Sequence, residues 1–589
     1  MERPTKRARV SPDSTREDAQ SSTYLASMHR SITPPPRTRS GQSMPSISIH
    51  NQHDGQTEEL PELPIRDLST PHHPRQIPSP IQLTHIRDFP SQKGYNADTV
   101  RLRDILGDPM IRECWQFNYL FDVDFLMSQF DEDVRALVQV KVVHGSWEKE
   151  APNRIRIEEA CTRFKNVEPI VAYMPERFGT HHSKMMILLR HDDLAQVIIH
   201  TANMISGDWA NMTQAVWRSP LLPLRKQGAA AESAAQSTLG SGVRFKRDLL
   251  AYLKAYGTKK TGPLVQQLNG YDFAGIRAAL VASIPCRQHV DSDLDSERLT
   301  LWGWPALKDI MSRIPIRRRT DPSTTPKPHI VLQVRVPEAA VSTSTKKNPQ
   351  ISSVASLGQT DKWLKDTLFA SLAPPSPAST PRPKYSIIFP TADEIRRSLD
   401  GYRSGGSIHM KIQSAPQQKQ LQYMRPYLCQ WAGDSVPDSG CIDLTQEEEK
   451  RSKRAAGRAR AAPHIKTYIR FSDTETMDDI DWAMVTSANL STQAWGAGTN
   501  AKGEIRISSW EIGVVVWPQL FDDSATVAMV PCFQTDLPSA PSTSEPPSVA
   551  VGFRMPYDLP LTPYRTADEP WCATATHHLP DWQGQSWVL

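Results

Sequence analysis

Two short strings in this sequence echo each other, and the echo limits what the chain can fold into. The first is Gly179-Thr-His-His-Ser-Lys-Met, followed by Ile199-His-Thr-Ala-Asn203. The second is Pro463-His-Ile-Lys-Thr-Tyr, followed by Val485-Thr-Ser-Ala-Asn489. Each copy is His-x-Lys leading into a hydrophobic run, then a second run closing on small residues and Asn. The His-to-Asn separations are 21 and 25 residues, and the two His-x-Lys elements stand 282 residues apart. The repeat predicts two similar halves, each contributing one set of chemical groups.

The spacing has a physical meaning. In extended backbone, residues i and i+2 project to the same face, so His182 points with Lys184 and His464 with Lys466. A turn after the next strand brings Asn203 and Asn489 alongside. Two such sets facing each other offer two imidazoles, two ammoniums and two carboxamides around one phosphate-sized anion. Lysine supplies charge, asparagine neutral donors, and the imidazoles nucleophilic and acid–base chemistry. No metal or other cofactor is called for, because two lysines neutralise the charge a divalent ion otherwise would. His-x-Lys alone is weak, since about one chance match is expected among 17 histidines. His409-Met-Lys411 is such a match; no Asn turn follows it, and it is read as an ordinary strand edge.

Composition sets the rest of the frame. The chain has 589 residues, 49 of them proline, with 39% apolar and 22% charged residues, a mix that fits folded domains carrying Pro/Ser-rich segments. A formal net charge of +4 excludes a globally polybasic coat for nucleic acid but leaves a local basic groove open. No apolar run reaches the roughly 18 residues of a membrane span, and the charged N-terminus argues against secretion. Seven scattered cysteines without a CxxC pair read as reduced thiols, neither a disulfide framework nor a zinc site.

Residues 1 to about 92 hold 13 prolines and two aromatics, Tyr24 and Phe89, and the segment 1–95 is read as a disordered tail. Its Lys6-Arg-Ala-Arg-Val10 stretch resembles a nuclear-import signal. Order is expected near Thr99, where Val100, Leu102 and Ile105 take helical spacing. Strand patterns appear at 137–143, 185–189, 196–199, 330–336, 387–389, 482–485 and 512–517, and a helical pattern at 247–256. The class predicted is α/β, with mixed sheets flanked by helices in two domains, about 96–325 and 326–589, related by an approximate two-fold. The seam between them would hold the site. Arg317–Arg319 begin a linker, and segments 373–383, 434–462 and 535–548 read as surface insertions.

These residues resemble the phospholipase D superfamily signature, His-x-Lys-x4-Asp with a downstream Gly-Ser/Ala-Asn. The chain departs from it, because Leu189 and Phe471 occupy the two aspartate positions. That departure, with Phe178-Gly-Thr-His-His-Ser-Lys-Met-Met and Pro463-His-Ile-Lys-Thr-Tyr, is similar to the type 1 tyrosyl-DNA phosphodiesterase family. The similarity extends over most of 110–589, through Phe117-Asn-Tyr-Leu-Phe-Asp-Val-Asp, Thr213-Gln-Ala-Val-Trp, Ser353-Val-Ala-Ser-Leu-Gly, Trp510-Glu-Ile-Gly-Val and Pro556-Tyr-Asp-Leu-Pro.

The resemblance implies a DNA-repair hydrolase that cleaves a 3′-phosphotyrosyl bond between DNA and topoisomerase I peptide, and other 3′ adducts. His182 would be the nucleophile and His464 the general acid and base; spacing alone leaves open which histidine attacks. Lys184, Lys466, Asn203 and Asn489 would hold phosphate oxygens, while Glu511 and Gln214 would cross between halves to orient His182 and His464. Tyr119 and Phe178 match base-stacking positions, and Ser353, Ser356, Ser491 and Thr492 match backbone-contacting ones. The protein is expected to act as a monomer in the nucleus, with a mitochondrial or cytoplasmic pool left open. A lipid-cleaving or general nuclease of the superfamily, and an inactive DNA-end-binding scaffold, are the competing readings. Outside the resemblance, Ile442-Asp-Leu-Thr followed by Glu447–Glu449 resembles a SUMO-interacting peptide.

Overall fold

Val, Ile, Leu and Met dominate the runs that follow both His-x-Lys elements, and both runs are strands buried on two faces. A computed structural model describes residues 74–176, 179–226, 237–290, 299–316, 327–334, 357–374, 381–408, 410, 412–432, 454–523, 526–539 and 547–588. Along Met185–Arg190, the side chains of Met185, Ile187 and Leu189 join one hydrophobic cluster, and those of Met186 and Leu188 another. In Thr467–Phe471 the same alternation sends Ile469 and Phe471 to the first of these clusters and Tyr468 to a third. The shared cluster draws on strands of both halves, so one core serves both sheets. Truncating Ile187 or Ile469 to Ala should cost about 2–5 kcal/mol.

The strand order repeats. In the first sheet it runs Ala215–Arg218, Leu194–His200, Met185–Arg190, Ile111–Phe117, Gln139–His144, Val167–Val171. In the second it runs Glu511–Val516, Ile480–Thr486, Thr467–Phe471, His329–Gln333, Lys384–Ile388, Leu428–Cys429. Directions match as well: the first four strands of each series pair antiparallel and the last three parallel. Even the outer edge is copied, with Ile81–Leu83 antiparallel to Ala215–Arg218 and Ala279–Ser283 antiparallel to Glu511–Val516. The fold is α/β, with mixed sheets and flanking helices.

Three features depart from the sequence reading. Residues 74–95, assigned by composition to the disordered tail, include Arg75–Ile77, parallel to Val549–Arg554, and Ile81–Leu83 in the first sheet. Three short apolar positions, Ile81, Leu83 and Ile86, are almost fully buried and outweigh the prolines around them. Residues 454–462, assigned to the insertion 434–462, also belong to the folded core. Arg458 is 1% exposed, and its guanidinium donates to the carbonyls of Thr84 and Tyr95 at 2.9 and 3.3 Å. Those bonds tie the N-terminal strands down. Nor does the sheet boundary follow a cut at 325, since Ala279–Ser283 and Cys286–His289 pair with strands of the second half.

Helix Gly242–Ala255 begins at Ser241, whose hydroxyl accepts from the Arg244 N–H, and lays Phe245 against Trp217. Its far end carries Tyr252, with Tyr256 at the C-cap, and both support the first His-x-Lys from behind. No helix among the described residues is long and apolar enough to cross a membrane.

Candidate active site

Both His-x-Lys elements are extended lead-ins that stand just before their strands. The first is stitched to the second half of the chain. His182 N–H donates to Trp510 O at 3.0 Å, and Trp510 N–H to Thr180 O at 2.9 Å. Backbones approach so closely here that a Cβ on Gly179 would stand 1.9 Å from Ser508 O, which only glycine avoids. The second element is stitched to the first half: His464 and Ile465 N–H both donate to Thr213 O, at 3.1 and 2.9 Å, and Thr213 N–H donates to Ala462 O at 2.9 Å. Each lead-in thus joins the residue preceding the other half's Glu511 or Gln214.

Side-chain alternation then sorts support from chemistry. His181 and Ser183 turn to one face, where His181 meets Asn118 O at 3.0 Å and Tyr256 Oη at 2.9 Å, and Ser183 meets Tyr252 Oη. Trp510 stacks on Tyr256 at 3.8 Å behind them. Burial holds the His181 imidazole neutral, its pKa pushed down to about 3. His182 and Lys184 turn to the opposite face. In the second element Ile465 enters the core while His464 and Lys466, both 0% exposed, share the other face. Lys184 and Lys466 each donate from Nζ to the carbonyl of their own histidine, at 3.1 and 2.5 Å.

The imidazoles have different partners. His182 Nδ1 is 3.0 Å from Glu511 Oε2, and Ser487 Oγ donates to the same oxygen. Burial pushes the Glu511 carboxyl up to about 7, against the downward pull of Lys184, Ser487 and Lys466. His464 Nδ1 faces the Gln214 amide, with Nε2 at 3.0 Å and Oε1 at 3.2 Å. Thr201 Oγ1 donates to that Oε1 at 2.7 Å and fixes the amide. A residue the sequence reading missed completes the group: Asp208 Oδ2 lies 3.3 Å from His464 Nδ1. Burial pushes the Asp208 carboxyl up, and the Asn203 N–H, Lys184, Lys466 and Ser407 pull it back. A lone aspartate beside Trp209 gives little sequence signal, and Ser487 falls inside the quoted Val485-Thr-Ser-Ala-Asn489 string without standing out.

Asn203 and Asn489 are 2% and 4% exposed, and the Oδ1 of each is buried without a hydrogen-bond partner among the described residues. The two carboxamides stand at equivalent turns of the two halves. Tyr119 tilts over His182 with ring centroids 5.6 Å apart. Ser491 is 2% exposed and caps the helix Thr492–Trp495, accepting from Ala494 N–H, while Thr492 opens that helix and is half-buried. Phe178, Ser353, Ser356, the peptide 442–449, Lys6–Val10, Arg317–Arg319, His409 and Lys411 lie outside the described residues.

The arrangement suits an anionic, tetrahedral guest. Two buried ammoniums, Lys184 and Lys466, both act on Glu511 and Asp208, and each imidazole is engaged at Nδ1. Among the described residues no group of three or more His, Cys, Asp or Glu side chains is placed to hold a metal ion.

A relative from Schizosaccharomyces pombe, a probable tyrosyl-DNA phosphodiesterase, is 29% identical over 569 residues, covering 87% of this chain and 96% of its own. Tyrosyl-DNA phosphodiesterase 1 of Drosophila melanogaster is 28% identical over 482 residues, covering 80% of this chain and 70% of its own. The crystal structure of the yeast tyrosyl-DNA phosphodiesterase shares the fold, with a TM-score of 0.54 at 21% identity over 84% of this chain and 99% of that one. The family model described as tyrosyl-DNA phosphodiesterase matches residues 80–565, a span containing both copies of the repeat. On that match the chain belongs to the tyrosyl-DNA phosphodiesterase family.

Proposed function

We propose that this protein hydrolyses the phosphodiester joining a DNA 3′ end to a tyrosine of topoisomerase I peptide, through a covalent phosphohistidine on His182. Family membership makes it a phosphodiesterase acting in DNA repair; the reciprocal pairing of His182 with Glu511 and His464 with Gln214 is the observation that carries the finer reading. In the first step His182 Nε2 forms a bond to phosphorus while the bond from phosphorus to the tyrosyl oxygen breaks. His464 gives its proton to that oxygen. In the second step water attacks phosphorus, His464 takes a proton from it, and the phosphorus–nitrogen bond breaks to leave a 3′-phosphate and neutral His182.

Glu511 accepts from His182 Nδ1–H, which keeps the lone pair on Nε2 for attack and stabilises the charge the ring gains. Lys184, Lys466, Asn203 and Asn489 hold the non-bridging oxygens as charge spreads onto them. Tyr119, beside His182, gives the terminal base an aromatic face, worth about 1–3 kcal/mol. Phe178 would do the same, and Ser353, Ser356, Ser491 and Thr492 would contact the DNA backbone.

Wider parts of the reading rest on sequence. The protein would work as a nuclear monomer, clear other 3′ adducts, and contact SUMO through Ile442–Glu449; titrating labelled SUMO against a 434–462 peptide tests the last. The central activity is tested with an end-labelled 3′-phosphotyrosyl oligonucleotide. Conversion to a 3′-phosphate end supports the reading, whereas an untouched substrate, or internal cleavage of plain DNA instead, overturns it.

A further inference from the structure

The second half has no counterpart to Asp208. Asp208 stands five residues after Asn203, on the short helix Ser206–Ala210, and five residues after Asn489 the chain has Ala494. Asp208 is 1% exposed and its oxygens are engaged on several sides. Oδ2 accepts from Asn203 N–H at 2.7 Å, Oδ1 accepts from Ser407 Oγ at 3.2 Å, and Gln214 Nε2 reaches Oδ2 at 3.5 Å. The same Oδ2 lies 3.3 Å from His464 Nδ1.

This placement answers a problem in the proposed mechanism, on which the inference rests. His464 must carry a proton before the first step, yet it is 0% exposed, and burial disfavours a charged imidazole. Gln214 is neutral and offers hydrogen bonding only. The charged groups on this cluster are Lys466 from the histidine's own lead-in, Lys184 from the other half, and Asp208; Glu511 is engaged with His182. Asp208 is therefore the anion next to His464, opposing two lysines.

We propose that Asp208 is a positioning residue that keeps His464 in its proton-bearing form before the first step, by its charge across 3.3 Å and by orienting the Gln214 amide. Once the ring is protonated, its Nδ1–H has two oxygens within reach, Gln214 Oε1 at 3.2 Å and Asp208 Oδ2 at 3.3 Å. An anion that shares this proton with a neutral amide oxygen favours the imidazolium without holding the proton by itself. The acid can then release its proton to the leaving group and regain one from water. The two imidazoles thus each have one carboxylate: Glu511 Oε2 at 3.0 Å from His182, and Asp208 Oδ2 at 3.3 Å from His464, where the Gln214 amide also stands.

Asp208→Asn tests this, because Asn is isosteric and a purely structural role in holding the Asn203 turn predicts a different pattern. Single-turnover rates are measured from pH 5 to 10 on two substrates, a 3′-phosphotyrosyl oligonucleotide and a 3′-(4-nitrophenyl phosphate) oligonucleotide, whose more acidic phenol needs less protonation. The variant should lose roughly tenfold to a hundredfold on the tyrosyl substrate and far less on the nitrophenyl one. The alkaline limb of its tyrosyl pH–rate profile should move about one unit to lower pH. In the double variant Asp208→Asn/Gln214→Glu a carboxylate again faces His464, and the limb should return toward its original position. Equal losses on both substrates with an unmoved limb would overturn the proposal, as would a double variant no better than the single one. Thermal unfolding of each variant separates misfolding from chemistry, and the substrate ratio, an internal comparison, stays readable at reduced folded fraction. If the wild-type protein fails to release tyrosine, the proposed function itself falls and takes this inference with it.

Discussion

His182 Nδ1 and Glu511 Oε2 stand 3.0 Å apart although 329 residues separate them in the chain. Neither half of the molecule alone can orient its own nucleophile candidate. Glu511→Gln should therefore slow formation of the phosphohistidine by roughly a hundredfold or more, because an amide can hold the ring in the wrong tautomer. Stopped single-turnover assays with a labelled 3′-phosphotyrosyl oligonucleotide check this, and a loss below threefold would contradict the assigned role.

Glu511 should also weaken the fold where it works. Its carboxyl rises from 4.5 to about 7, so between those values the folded state binds more protons than the unfolded one. Stability from this group then falls as pH rises through that window. Glu511→Gln should unfold at higher denaturant than wild type at pH 8, by roughly 3 kcal/mol, with the gap closing toward pH 4.5. Urea titrations at both pH values read the difference.

The frame of the candidate site was legible because its signals are local and doubled. His182, Lys184 and Asn203 repeat as His464, Lys466 and Asn489, and alternation in extended backbone places each histidine on one face with its lysine. Glu511 and Gln214 came from family resemblance, since nothing near them in the sequence marks them as partners of histidines hundreds of residues away. Asp208 escaped because its meaning lies in a three-dimensional approach to His464. Composition misled at residues 74–95, where averaging over a proline-rich stretch hid Ile81, Leu83 and Ile86. It misled again at Arg458, whose charged neighbours look like surface but whose guanidinium is buried under Thr84 and Tyr95.

The N-terminal strands should be indispensable. Removing residues through 98 deletes two strands and leaves the buried Arg458 without the carbonyls of Thr84 and Tyr95. Unsatisfied buried groups cost about 1–3 kcal/mol each, and more when charged. A chain starting at 99 should give little soluble protein or a much lower Tm than one starting at 74; equal Tm values would show that these strands are dispensable.

Activity should persist in chelator. Lys184 and Lys466 already occupy the site as fixed charges, and each is 0% exposed. Rates in excess EDTA should equal those in buffer alone, whereas loss in EDTA restored by magnesium would contradict a mechanism based on two histidines.

The two histidines should fail differently when removed. The tyrosyl leaving group has a reference pKa of about 10, so losing its acid slows its departure without stopping it. Water, with a pKa of about 15.7, needs its base far more. Losing His464 should therefore slow hydrolysis of the covalent intermediate more than its formation. Denaturing gels of His182→Ala, His464→Ala and the double variant, each incubated with end-labelled 3′-phosphotyrosyl oligonucleotide, test this directly. His464→Ala should give an acid-labile, alkali-resistant protein–DNA band that His182→Ala and the double variant lack. A trapped band on His182→Ala and none on His464→Ala would contradict the assignment of His182 as nucleophile.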